Sequence, residues 1–165
     1  VGSEMCIRDS LRWNTLAGLG WVETRHGTYN GNWLRPSKLD ENGYPDPPII
    51  GIALDGSNGT AHTPDTDDGQ IDGDAEFDRA VGPLQFIPSS WSHVGRDANG
   101  DGVADPNQID DAALGAAALL CFGGRNMDKS EDWEAGILNY NQSRDYLERV
   151  AAAANSYSIP QPASS

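Results

Sequence analysis

Residues 11–27 read LRWNTLAGLGWVETRHG, an apolar run that ends in a glutamate and then a glycine. Apolar or small residues recur in it at three- and four-residue spacing, at Trp13, Leu16, Ala17, Leu19 and Gly20. This spacing predicts a helix over residues 11–25 with one buried face. Glu23 stands at the end of that helix, beside a loop that can form a cleft wall. Because desolvation raises the pKa of a carboxyl group, Glu23 is a candidate catalytic acid.

The rest of the chain is mainly helical, with one long exception. Four more helices are predicted from apolar spacing and from Pro, Ser and Gly at helix ends, near residues 88–91, over 110–122, near 131–139 and over 143–157. Residues 28–78 are instead rich in Gly, Pro, Asn and Asp, and only short pieces such as residues 49–54 are expected to pair as strands. The sequence therefore predicts a mainly α chain of the α+β class with a long irregular Asp/Gly-rich insert.

Length and charge limit the classes of function. The chain has 165 residues, enough for one compact domain with a hydrophobic core, and a formal net charge of −14. This charge argues against a nucleic-acid partner, which would require a basic patch. No run of 18 apolar residues is present, so no transmembrane segment is expected in this chain. Twelve of the 25 acidic residues lie in two short stretches, residues 65–78 and 97–111, which suggests cation binding.

The two ends of the chain are expected to lie outside the domain. Residues 1–10, VGSEMCIRDS, show no period that leads into the next helix, and they resemble a translated sequencing adapter. They are interpreted as a non-native segment and excluded from the fold, which leaves residues 11–158 as the domain and 159–165 as a linker or tail. Cys121 is most simply a buried small hydrophobic residue, and a Cys6–Cys121 bridge is an open alternative.

The second acidic stretch has the spacing of an EF-hand loop. Asp97, Asn99 and Asp101 occupy its first, third and fifth positions, a glycine the sixth, and the carbonyl of Val103 the seventh. The twelfth residue is a glutamine, so Asp111 (or Asp110) would have to close the site. These oxygens predict a structural Ca²⁺, against a cation-free acidic turn as the alternative.

The first acidic stretch, residues 65–78, does not follow the ligand spacing of an EF-hand loop. Residues 65–74 carry five aspartates, but their order does not match the EF-hand positions. A solvated acidic loop is the expectation there. Whether residues 65–78 bind a second cation is left open.

Four ordered motifs give a resemblance to a known family. Residues 20–27 (GWVETRHG), 79–91 (RAVGPLQFIPSSW), the loop 97–111, and 138–143 (LNYNQS) followed by Tyr146 resemble the motifs of B-type lytic murein transglycosylases. The match covers residues 11–157, and its pattern is closest to the actinobacterial branch, whose members carry an Asp/Gly-rich insert. The resemblance implies a lysozyme-like helical fold and cleavage of peptidoglycan glycan strands.

The resemblance also implies roles for individual residues. Glu23 would be the sole catalytic acid/base, Gln85 would bind an acetamido sugar, and Tyr140, Asn141 and Tyr146 would orient the muramyl residue. Ordinary glycosidases use two carboxylates, but no second acid lies inside these motifs. In the implied reaction, the substrate's N-acetyl group assists cleavage of the MurNAc–GlcNAc β-1,4 bond. The C6 hydroxyl then closes on C1 to give a 1,6-anhydromuramyl end.

Two alternatives remain open. A hydrolytic muramidase would let water attack C1 instead, and a non-catalytic, calcium-ordered module would hold murein without cutting it. In each case the partner is the peptidoglycan glycan strand, and no organic cofactor is expected. Because murein lies outside the cytoplasmic membrane, an exported monomer is expected, in the cell wall, in a periplasm-like space or in the medium.

Overall fold

The computed structural model describes residues 2–158 and combines helices with small antiparallel sheets. Its helices are α1 (Gly2–Asp9), α2 (Trp13–Thr24), α3 (Pro88–Val94), α4 (Ile109–Leu120), α5 (Ser130–Tyr140) and α6 (Arg144–Ser158). Its strands are β1 (Lys38–Leu39), β2 (Pro45–Asp46), β3 (Ile50–Ala53) and β4 (Arg79–Val81). The predicted mixture of mainly helix with some strand is confirmed. Of the residues described, none belongs to a helix long and apolar enough to cross a bilayer.

The described residues form two compact units. One contains residues 2–22 and 116–158, and the other contains residues 23–115. The predicted tail at 159–165 lies outside the described residues.

Glycines allow the helices of the first unit to pack closely. A Cβ on Gly18 of α2 would lie 2.8 Å from the backbone nitrogen of Ala154 in α6. A Cβ on Gly136 of α5 would lie 2.9 Å from the carbonyl oxygen of Leu120. The core includes Leu19, Leu120, Ile137 and Val150, all fully buried. Trp133 contributes a polar link, since its Nε1 donates to Thr15 Oγ1 at 3.0 Å.

The N-terminal segment takes part in this unit. Residues 2–9 form α1, and Cys6 is disulfide-bonded to Cys121. Buried Ser10 accepts a hydrogen bond from the backbone N–H of Met127 at 3.0 Å. Leaving residues 1–10 out of the fold and treating Cys121 as a simple hydrophobic residue are therefore both corrected for the described residues. That the segment is foreign to the natural protein stays a prediction.

The second unit is built around β3 and β4, which pair antiparallel, with Ile50 opposite Val81. Val81 also exchanges two backbone hydrogen bonds with Phe86, which closes a tight loop over residues 82–85. Gly82 is required at its start, because its φ is 77° and a Cβ would clash with the carbonyl oxygen of Pro106. Trp91 of α3 packs edge-on against Phe86, with ring centroids 5.0 Å apart.

One detail differs from the sequence prediction. Helix α3 begins after Ile87, whose side chain makes no capping hydrogen bond, so the predicted serine cap is wrong. Pro88 lies at the start of the helix as expected, because its fixed φ suits a first turn. Residues 28–78 contain no helix and are held by short strand pairs and by many aspartate-to-backbone hydrogen bonds.

Candidate active site and acidic loops

The end of α2 is joined directly to the loop that carries Gln85. Thr24, the last residue of α2, is buried, and its Oγ1 donates to the carbonyl oxygen of Pro83 at 2.6 Å. The same Oγ1 accepts the backbone N–H of Gly27 at 2.8 Å. Glu23 precedes Thr24 and is half-buried, and Gln85 follows Pro83 by two residues. The structure therefore brings the segments of these two candidate residues together.

The backbone at both positions is unusual. Arg25, His26 and Gly27 have φ values of 51°, 60° and 78°, so three consecutive residues adopt the left-handed region after α2. Gln85 has a φ of 53°. A left-handed conformation costs a non-glycine residue roughly 1–2 kcal/mol. Because such strain concentrates at functional sites, it supports the interpretation of this region as a site.

The Gln85 side chain is held by its own loop. Its Nε2 donates to the carbonyl oxygen of Gly82 at 3.0 Å, and the residue is half-buried. Its Oε1 lies beside β3, where a Cβ on Gly51 would approach it to 3.3 Å. The amide is therefore fixed in orientation.

An aromatic cluster beside this region was missed in the sequence. Trp33 is 64% exposed, and its ring lies 4.4 Å, centroid to centroid, from that of Tyr29. The Arg25 guanidinium carbon lies 5.3 Å from the Trp33 ring centroid, within the range of a cation–π contact. The available signal was a tryptophan in a Gly/Asn-rich stretch, where no apolar period predicts burial.

The remaining candidate residues lie in the other unit. Tyr140 ends α5 and is half-buried, and Tyr146 is buried in the first turn of α6. Asn141 caps α5, and its Oδ1 accepts the backbone N–H of Ser143 at 3.1 Å. A cavity of about 620 Å³ in this unit is lined by Thr15, Trp133 and neighbours, and by none of these three residues.

The loop 97–111 is tied together by its acidic side chains. Oδ1 of fully buried Asp111 accepts the backbone N–H of Ala98 at 2.7 Å and that of Asn99 at 3.3 Å, and its Oδ2 accepts that of Asp105 at 2.9 Å. Asp97 accepts two backbone N–H groups, and Asn99 and Asp101 accept one each. Val103 is exposed, and its N–H donates to Asp101.

The negative charge of this loop affects a neighbouring tyrosine. Burial first, and then the charges of Asp105, Asp101 and other aspartates, raise the pKa of Tyr44. An open groove of about 780 Å³ runs between residues 39–44 and parts of the loop. The loop is therefore a strongly negative surface. The predicted Ca²⁺ ligands Asp97, Asn99, Asp101, Val103 and Asp111 stay a prediction.

Three other aspartates lie close together. Asp65, Asp67 and Asp78 each present a carboxylate oxygen within 4.8 Å of those of the other two. Over residues 2–158, theirs is the one group of three acidic, histidine or cysteine side chains with this spacing. The group could hold a metal ion.

The chain was compared with protein-family models, with curated proteins and with solved structures, and no match was found in any of the three.

Proposed function

We propose that the chain is a peptidoglycan lytic transglycosylase with a lysozyme-like catalytic domain. The proposal depends mainly on the hydrogen bond between Thr24 and the Pro83 carbonyl, which joins the helix end that carries Glu23 to the loop that carries Gln85. A half-buried glutamate, in a segment bonded to the loop of an oriented amide, suits proton donation to a glycosidic oxygen near an acetamido group. The resemblance of the four sequence motifs supports peptidoglycan as the substrate class.

In the proposed reaction, Glu23 donates its proton to the bridging oxygen of the MurNAc–GlcNAc bond. The C1–O bond breaks while the acetamido oxygen of the muramyl residue bonds to C1. The Glu23 carboxylate then takes the proton of the C6 hydroxyl, and O6 displaces the acetamido oxygen from C1. The products are a free GlcNAc 4-hydroxyl and a 1,6-anhydromuramyl end, and no water is consumed. Gln85 binds the acetamido sugar near the cleaved bond. Tyr140, Asn141 and Tyr146 stay predicted binding residues for the muramyl sugar.

The test is cleavage of purified peptidoglycan by the full chain and by Glu23→Gln. Proton donation contributes roughly 10²–10⁴-fold to such reactions, so the variant should lose activity by at least that factor. Glu41→Gln is the control, because Glu41 is an exposed glutamate of the same unit. It should cleave like the wild type.

The products distinguish the alternatives. Mass spectrometry should find anhydro ends about one water lighter than reducing ends. Reducing ends would make the chain a hydrolytic muramidase, and binding of murein without cleavage would make it a non-catalytic module. Undiminished cleavage by Glu23→Gln would remove the proposed role of Glu23.

Two further parts of the proposal concern location and calcium. The Cys6–Cys121 disulfide is consistent with a protein outside the cytoplasm, where disulfides persist. Export to the cell wall, a periplasm-like space or the medium follows from the proposed substrate. A structural Ca²⁺ in the loop 97–111, with Asp111 closing the site, would stabilise the folded chain by mass action.

A further inference from the structure

The cluster of Asp65, Asp67 and Asp78 joins two parts of the second unit that are distant in sequence. Asp78 immediately precedes β4, and its backbone bonds to Thr63 and Leu54 align it with the neighbouring chain. Asp65 and Asp67 lie on the turn that begins more than ten residues earlier. Asp78 is fully buried and the other two are half-buried. Three carboxylates are therefore gathered where solvent screening is weak.

No cationic side chain neutralises this cluster. Residues 65–78 contain seven carboxylates and neither lysine nor arginine. Arg79, which follows them, pairs with Asp74, with 2.7 Å between its Nε and Oδ2. Throughout residues 2–158, the ion pairs leave Asp65, Asp67 and Asp78 without a cationic partner. Mutual repulsion of three close, partly buried negative charges is unfavourable unless a cation or a proton compensates it.

A second observation points to a ligand. Oδ1 of Asp67 is buried and accepts no hydrogen bond, the one side-chain oxygen or nitrogen in the described chain of which this is true. Its other oxygen, Oδ2, accepts the backbone N–H of Ile71 at 2.7 Å, which fixes the carboxylate. Buried polar atoms in proteins nearly always have a partner, so an unpaired buried carboxylate oxygen is a candidate ligand atom. The orphan belongs to a member of the acidic cluster.

The other carboxylates of the cluster are also fixed. Asp65 accepts the backbone N–H groups of Asp67, Asp68 and Gly69 at 3.0–3.3 Å. Asp78 accepts the backbone N–H and the hydroxyl of Thr66 at 2.9–3.0 Å. These bonds hold the carboxylates against their mutual repulsion, so the oxygens are in place before a ligand arrives.

We propose that Asp65, Asp67 and Asp78 bind a divalent cation, with Ca²⁺ as the best fit. Ca²⁺ binds carboxylate oxygens at about 2.3–2.6 Å, so two of its ligands lie at most about 5 Å apart. The 4.8 Å limit of the cluster satisfies this condition. The ion neutralises the cluster, gives the buried Asp67 oxygen a partner, and ties the turn at residues 65–69 to the residue before β4. This site is separate from the loop 97–111.

The test is the melting temperature of the full chain, after treatment with a chelator, with and without 10 mM CaCl₂ as the probe. The sites of extracellular calcium modules bind with dissociation constants of about 10⁻⁴–10⁻³ M. Wild-type protein should therefore melt several degrees higher in calcium. Asp67→Asn, which keeps the shape but removes the charge, should lose the part of that shift that belongs to the cluster, and Asp65→Asn should do the same.

Two controls separate this site from other effects. Asp68→Asn removes an exposed carboxylate next to the cluster and should keep the wild-type shift. Asp101→Asn alters the loop 97–111 and should keep the part of the shift that belongs to the cluster. Far-UV circular dichroism in the chelator checks that each variant is folded.

Two results would overturn the proposal. One is the absence of any calcium shift in the wild type. The other is a shift that Asp101→Asn abolishes while Asp67→Asn and Asp65→Asn leave it intact. If Asp67→Asn does not fold, Asp65→Asn decides.

Discussion

Two acidic segments of the same unit, residues 65–78 and 97–111, behave differently. Side chains of both segments accept backbone N–H groups of their own loop, but only residues 97–111 carry the EF-hand order of oxygens. Residues 65–78 lack that order, yet they bring three carboxylates within 4.8 Å. The ligand spacing of residues 97–111 can be recognised in the sequence. The convergence of Asp65, Asp67 and Asp78 cannot, because it depends on how the chain returns from the turn to the sheet.

The two fully buried aspartates make the contrast sharper. Asp111 receives three backbone N–H groups from the loop 97–111. Asp78 receives one backbone N–H and one hydroxyl, both from Thr66, and it has two acidic neighbours. Asp111 is thus stabilised by backbone N–H groups, whereas Asp78 belongs to the cluster for which we propose a cation.

The largest effect of a substitution in either segment is expected at Asp111. In Asp111→Asn, one charge is lost and an amide NH₂ replaces an oxygen that accepts backbone N–H groups. Hydrogen bonds to charged groups contribute about 1.5–3 kcal/mol each, and buried partners left unsatisfied add to the loss. We expect the free energy of unfolding to fall by about 2–4 kcal/mol in urea titrations with a chelator present.

Asp110→Asn is the control for this prediction, because Asp110 is the exposed neighbour of Asp111. Its effect should stay within about 0.5 kcal/mol. If Asp111→Asn lost stability only when calcium is present, the ion and not the backbone would be the main partner of Asp111, and the contrast between the two segments would disappear.

A smaller effect is expected from glycine substitutions that compare packing in the two segments. Gly69 has a φ of 65°, and a Cβ there would lie 3.1 Å from backbone atoms of Asp74. Gly73 and Gly100 both have a φ of 80°, and a Cβ on either would meet nothing within 4 Å. Alanine at these two positions should cost about 1 kcal/mol from backbone strain alone.

Gly69→Ala should cost about 1 kcal/mol more than Gly73→Ala or Gly100→Ala, because overpacking adds to the strain. Chemical denaturation of the three variants measures the differences. Equal losses at all three positions would mean that the turn at residues 65–74 is as open as the loop 97–111.

The smallest effect concerns pH and Asp74. The pKa of Asp74 is held below its usual value by hydrogen bonds, first from the backbone N–H of Glu76 and then from the Arg79 guanidinium. Because its pKa is depressed in the folded state, its carboxylate stabilises the fold above the unfolded pKa of about 4. That stability is lost as the pH falls through the folded pKa.

Asp74→Asn should therefore be less stable than the wild type at pH 7 and progressively closer to it below pH about 4. Urea unfolding at pH 7, 5 and 3, with chelator, follows the difference. A difference that stays constant over this range would show that shape rather than charge makes Asp74 important.

Most of the helices could be predicted because their signals are local. Residues 13–20 lie within α2, and the Ala/Leu-rich run lies within α4. The predicted buried face of α2 is wrong at Trp13, which is 67% exposed. Helix α1 could not be predicted in this way, since its place in the first unit depends on Cys6 meeting Cys121 and on Ser10 meeting Met127, 115 and 117 residues away.

The candidate active site was predicted in part. The position of Glu23 at a helix end follows from its neighbours in sequence, and the left-handed turn after it is consistent with the following glycine. The hydrogen bond from Thr24 to the Pro83 carbonyl oxygen could not be predicted from the sequence, because the hydroxyl of a threonine at a helix end can bond to many nearby groups. Exposed Trp33 was missed for a similar reason, since exposure depends on what does not pack over a residue.

The sequence by itself determined where five of the six described helices form, where the chain turns at glycine, and which short loop has the oxygen spacing of a calcium site. These properties depend on backbone preferences and side-chain periods within about a dozen residues. Only the tertiary structure decided that Cys6 is bonded to Cys121, that the end of α2 meets the Gln85 loop, and that Asp78 returns to Asp65 and Asp67. The first two contacts join residues far apart in the chain, and the third depends on how strand pairing and burial return Asp78 to the turn at residues 65–69.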